Sequence, residues 1–158
     1  MKNPRLLGIL ILSLTTFSCS VLPLSSEIEK DHFRFENFKR DKGPTIELVH
    51  LMCFHQQPTG WTEPKQFQSG PQNLWVKANI SQRGIPNSTK EAYANFKVDL
   101  DPGKSYMLNR TVEGDQISIW IQEVDSGLQV SKVSKSQLKQ PLLVDNYLRR
   151  QQCEQGSV

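Results

Sequence analysis

The sequence predicts a mainly β protein, an antiparallel β-sandwich closed by a short C-terminal helix. Three observations carry that expectation. Polar and apolar residues alternate over 72–81, 92–100 and 116–124; turn residues recur every 8 to 15 positions through the second half; and one helical pattern stands near the end, over 141–152. The 158 residues, 37% hydrophobic and 22% charged, suffice for one core of useful size and exclude collagen-like or broadly disordered chains. No apolar run reaches the roughly 20 residues of a spanning helix, which excludes a multi-pass membrane protein.

Residues 1–18 are set apart from the fold. Lys2 and Arg5 precede the apolar run Leu6 to Leu14, and small and polar residues follow to Ser20, the order of a secretory signal peptide. Around Cys19 the stretch Leu14-Thr15-Thr16-Phe17-Ser18-Cys19-Ser20 resembles the lipobox of bacterial lipoproteins, with a small residue directly before the cysteine. Thr16 and Phe17 depart from the usual pattern. The resemblance implies that Cys19 becomes a lipidated mature N-terminus. Several acyl chains, at about 0.8 kcal/mol per buried methylene, then make a stable anchor. It also implies a bacterial cell envelope location, with Ser20 after the cysteine pointing to the outer membrane facing the periplasm. The other reading of the same residues is ordinary secretion with cleavage after Ser18 or Ser20.

Residues 19–43 read as a tether and 44–158 as the folded domain. The tether opens Val21-Leu22-Pro23-Leu24-Ser25-Ser26 and then becomes polar and charged, which suits a spacer. Phe33 and Phe35 alternate with Arg34 and Glu36, so 32–38 reads equally well as a strand docked on the core.

In the domain, 45–54 (TIELVHLMCF) is rich in β-formers and reads as a strand covered on both faces. Residues 72–81 place Leu74, Val76, Ala78 and Ile80 on one face; 92–100 place Ala92, Ala94, Phe96, Val98 and Leu100 there. Asp101-Pro102-Gly103-Lys104 supplies a turn, because Pro presets φ and Gly permits a positive one. Strands are expected at 105–112, with Tyr106 and Leu108 facing in, at 116–124, where Ile117, Ile119 and Ile121 alternate with Ser118, Trp120 and Gln122, and at 128–133, separated by Glu113-Gly114-Asp115 and Asp125-Ser126-Gly127. The helix over 141–152 is expected to turn Leu143, Tyr147 and Leu148 to the core, with Arg149 and Arg150 near its C-terminus.

The run from Trp75-Val76-Lys77-Ala78 through Leu100-Asp101-Pro102-Gly103-Lys104-Ser105-Tyr106 to Ile119-Trp120-Ile121-Gln122 resembles the small PEGA-like or transthyretin-like sandwich modules of envelope lipoproteins. That resemblance implies binding or scaffolding rather than catalysis, with an envelope protein as partner.

Charge argues against nucleic acid. Without residues 1–18 the net charge falls from +3 to +1, and Lys30, Lys39, Arg40 and Lys42 are interleaved with Glu29, Asp31, Glu36 and Asp41. Of three cysteines, Cys19 is taken by processing. Cys53 and Cys153 remain as an even pair in an exported chain and are expected to form a disulfide. His50, Met52, Cys53 and His55 include metal-ligand types, but on an alternating strand they point to opposite faces, so no metal is expected. No nucleophile elbow, phosphate loop or paired-carboxylate cleft is assembled, so neither an enzyme nor a cofactor is expected. The long connection His55 to Pro71 is the best interaction candidate. Trp61 and Phe67 within it, with Trp75 after it, could stack on peptidoglycan or polysaccharide, which makes a carbohydrate-binding module the alternative; Trp61 folded back to cover a sheet edge is the plainer reading.

Overall fold

A computed structural model describes residues 27–61, 63–142 and 146–158. In chain order the elements are β1 (His32–Glu36), β2 (Phe38–Arg40), β3 (Thr45–Leu51), β4 (Cys53–Phe54), β5 (Gln57–Pro58), β6 (Lys65–Gln68), β7 (Gly70–Gln82), β8 (Lys90–Leu100), β9 (Ser105–Glu113), β10 (Gln116–Glu123), β11 (Ser134–Gln137) and α1 (Asn146–Glu154). The protein is mainly β, as its alternation predicts. One sheet runs β11-β10-β9-β1-β6 and the other β2-β3-β7-β8, with β4 and β5 as a separate small hairpin. The two larger sheets face each other over a single core. One side supplies Phe33, Phe35, Leu108 and Ile117, Ile119 and Ile121; the other supplies Val49, Leu74, Val76 and Phe96.

The alternating segments become β7, β8, β9 and β10 with the expected faces inward. Each buried Leu, Ile, Val or Phe contributes about 1.5–3 kcal/mol, so a face of three or four such residues sets a strand's orientation. Gly103 has φ of +73°, the left-handed conformation that lets the β8–β9 turn close.

Four expectations need correction. The fold begins before residue 44, because β1 lies in the middle of a sheet, parallel to β9 and antiparallel to β6, with Phe33 and Phe35 buried. The strand expected at 128–133 is displaced. Only an isolated bridge joins Gln122 to Gln129, and β11 forms at Ser134–Gln137, where Ile117 and Ile119 find partners across the ladder. Strict alternation across 50–55 also fails. The chain bends at Met52, so Met52 and Cys53 enter the same cluster rather than opposite faces. Finally, α1 buries Cys153 while Tyr147 and Leu148 remain exposed, and Arg149 and Arg150 lie in its first half. That helix is held by a covalent bond and by the polar residues after it. Ser157 N–H donates to Asn73 O at 3.0 Å, and Asn73 Nδ2 donates to Gln155 O at 2.6 Å. Leu143 lies outside the described residues.

One charged group is buried between the sheets. Glu47 on β3, 3% exposed, meets the guanidinium groups of Arg40 on β2 and Arg110 on β9. Arg110 also stacks on the Phe38 ring, 4.2 Å from its centroid. A lone carboxylate here would carry a large desolvation cost, and two cations offset it.

Candidate functional site

The outer face of the four-stranded sheet carries a polar row. In register, His50 on β3 lies beside Lys77 on β7, and Lys77 beside Tyr93 on β8. Lys77 Nζ is 2.6 Å from Glu91, whose other oxygen accepts from Tyr93 Oη at 2.7 Å. His50 is 3% exposed. Its Nδ1 lies 2.9 Å from Leu51 O and so carries the proton, leaving Nε2 to accept from Asn79 Nδ2 at 3.4 Å. Burial pushes the imidazole below its ordinary value, with Lys77 adding to the shift and the Leu51 carbonyl and Glu91 opposing it.

Two lids cover this face. Trp61 lies tilted over His50, with ring centroids 6.3 Å apart, and remains 38% exposed. It folds back as expected but lies over a sheet face rather than an edge, because His50 belongs to the inner strand β3. Trp75 packs with Met52, Cys53, Cys153 and Tyr93, and α1 crosses there, with Arg149 stacked 3.5 Å from the Tyr93 centroid. Cys53 and Cys153 are bonded to each other, with Cα atoms 5.4 Å apart, as the cysteine count predicts. Cys19 lies outside the described residues.

Phe67 goes elsewhere. It pairs with Phe33 across β1–β6, the rings 5.8 Å apart, and packs against the core. Trp61, Phe67 and Trp75 therefore do not form one stacking platform, because Phe67 serves the other sheet and Trp75 is covered. His50, Met52, Cys53 and His55 do not converge either. Cys53 is consumed by the disulfide, and His55 stands in the β4–β5 turn.

That turn forms one wall of a cleft of about 790 Å³. Opposite it run β6 and the neighbouring Arg34 of β1, so the connection singled out from the sequence contributes His55 and Gln56 as well as Pro64–Phe67, and Phe54 stands just before it. His55 and Gln56 have φ of 51° and 58°, two consecutive side-chain-bearing residues in the left-handed region. A two-residue hairpin turn whose twist matches its strands requires this conformation at both positions, which holds the β4–β5 turn in one shape. Lys65 Nζ lies 4.3 Å from the Phe54 centroid, and the His55 ring meets Phe54 edge-on at 3.9 Å. Arg34 is 3.4 Å from Glu36. The cleft thus presents an aromatic wall and cations, while the Gln66 amide is engaged within the chain, its oxygen accepting from Glu29 N–H at 2.7 Å and its Nε2 donating to Glu27 O at 3.0 Å. Its lining mixes apolar and polar side chains, and among the described residues no three His, Cys, Asp or Glu side chains stand close enough to hold a metal ion.

Sequence reasoning placed the cleft segment but missed Phe54, Lys65 and Arg34, whose convergence has no local signature. For Glu47 a signal existed: it is the single acid in a strand read as covered on both faces. Among the described residues no helix is long and apolar enough to cross a membrane. Comparisons of the chain with family models, with curated proteins and with solved structures find no match.

Proposed function

We propose that this chain is an exported binding module of the bacterial cell envelope, anchored by acylation of Cys19 at the outer membrane facing the periplasm, and that the cleft beside the β4–β5 turn receives its partner. The observation that carries the reading is the Cys53–Cys153 disulfide, which ties the last helix to an early hairpin and belongs to an oxidising compartment. The basic, apolar and cysteine-terminated order of residues 1–19 supports export from the other end of the chain. The partner is an envelope protein that presents a small mixed-polarity element to Phe54, His55 and Lys65.

Two measurements test this. Intact mass of the chain extracted from native membranes is expected to start at Cys19, to carry acyl mass, and to accept alkylation at Cys53 and Cys153 only after reduction. An unacylated mature chain removes the anchor, and free thiols remove the exported compartment. A photo-crosslinking residue at Gln66 is expected to yield one discrete protein adduct in intact cells, whereas the same residue at exposed Lys42 yields none. Equal labelling from both positions removes the cleft as the docking site.

A further inference from the structure

β8 is the last strand of its sheet, and its hydrogen bonds disclose which of its groups face outward. Glu91 N–H donates to Lys139 O at 2.7 Å and Lys139 N–H donates to Glu91 O at 2.9 Å, so the main chain of Glu91 points away from β7. Tyr93 O, which accepts from Ser136 Oγ at 2.9 Å, points the same way. In an antiparallel ladder this direction repeats at every second residue, so the N–H and C=O of Asn95, Lys97 and Asp99 also face outward. The partners on β7 agree. Pro71, opposite Asp99, has no N–H to give, and Asn73, opposite Lys97, turns its carbonyl to Ser157 on the far side.

Beyond Tyr93 the two sheets part. A groove of about 790 Å³ separates Asn95–Asp99 from Val130–Ser134. Among the described residues no backbone hydrogen bond takes up the outward groups of Asn95, Lys97 or Asp99. Val130 and Val133 line the far wall and are 36% and 43% exposed. Lys97 and Asp99 are exposed, opposite in charge and two residues apart, and neither joins an ion pair among the described residues. An unpaired edge of this kind is a template for another strand.

We propose that β8 pairs antiparallel with β8 of a second copy of this chain, about a two-fold axis at Val98. Charge selects the register. With the axis at Val98, Lys97 stands opposite the second copy's Asp99 and Asp99 opposite its Lys97, each pair exchanging outward main-chain groups. A shift of the axis by one residue places Lys97 against Lys97, or Asp99 against Asp99, and like charges directly opposed are destabilising. The same axis brings Val130 and Val133 of the two copies together over the groove. The contact is isologous, so it closes at two copies and leaves β8 with no free edge.

Val98→Cys in the full-length chain tests this in native membranes. The two Val98 positions form a non-hydrogen-bonded pair with Cα atoms about 4.5 Å apart, within disulfide reach. A covalent dimer is expected on a non-reducing gel. Adding Lys97→Asp is expected to lower its yield about tenfold, because two attractive pairs become repulsive, and adding Asp99→Lys as well to restore it. As an independent measurement, light scattering of the detergent-extracted wild-type chain at about 50 μM is expected to give two chains per particle, and Lys97→Pro one, since that N–H is not used by β7. A monomeric wild type, a dimer indifferent to the charge exchanges, or a ladder of higher oligomers would each overturn the proposal.

Discussion

Replacing both Cys53 and Cys153 by Ala removes a cross-link that closes a loop of 100 residues, most of the described domain. In the chain-entropy account a loop of that length restricts the unfolded ensemble by about 4.7 kcal/mol at 25 °C. Both cysteines are buried, and Ala in their place leaves no unpaired polar atom, so the cross-link dominates the expected loss. Against a total stability of about 5–15 kcal/mol for a domain, the variant keeps a folded state with much less reserve. Urea unfolding followed by circular dichroism measures it. With a slope of about 1.5–2 kcal/mol per molar, the midpoint is expected to fall by about 2–3 M. The slope itself is expected to rise, because an unfolded chain without the cross-link exposes more surface. A loss below about 1 kcal/mol would refute the reasoning. So would a full loss with an unchanged slope, since the bond would then act by holding α1 against Met52 and Trp75.

Three further outcomes follow from named contacts. Glu47→Gln leaves the guanidinium of Arg110, 13% exposed, without its carboxylate between the sheets, whereas the half-exposed Arg40 keeps water, and the change is expected to cost about 3 kcal/mol in the same unfolding assay; a loss under 1 kcal/mol would show that water reaches the cluster. The imidazole of His50 is held below its ordinary value of 6.5 when folded, so below that pH the unfolded chain binds a proton that the folded chain refuses. Stability therefore falls as pH drops from about 7 to 5, and His50→Gln is expected to flatten that dependence. Asp41, whose carboxyl the Lys39 ammonium holds low, acts only beneath the ordinary carboxylate value of 3.8 and stays out of this window. Gly103→Ala forces a side chain into a left-handed turn and is expected to destabilise by about 1 kcal/mol in thermal melts; no change would mean the turn rearranges.

How far the fold was legible from the sequence follows from how local each signal is. Alternation needs only a strand's own residues, so Leu74-Val76-Ala78 and Ile117-Ile119-Ile121 declare their buried faces directly. The turn at Asp101-Pro102-Gly103-Lys104 is equally local, because it is steric. Cysteine pairing was legible for another reason: with Cys19 set aside as the processing residue, two cysteines allow one bridge. The cleft was half legible. Its segment stood out as a long connection, but the meeting of Phe54 with Lys65, and of both with Arg34, depends on strands distant in sequence.

The sequence by itself determined a mainly β chain, the faces of β7 to β10, the turns from β8 to β9 and from β9 to β10, and the one disulfide that two cysteines permit. Tertiary structure alone decided that β1 enters a sheet beside β9, that Glu47 is buried against two arginines, that β11 forms at 134–137, and that α1 is held by Cys153 rather than by an apolar stripe. The physical reason is that periodicity records which face of a segment leaves water, whereas the partner that covers the face is chosen by contacts across the chain. Phe33 and Phe35 needed a neighbour to bury them, and β9, some seventy residues on, supplied it. The edge of β8 shows the same division: its alternation is plain in the sequence, but that no described backbone group pairs with the outward main chain of Asn95, Lys97 and Asp99 appears only once the described strands have taken their places.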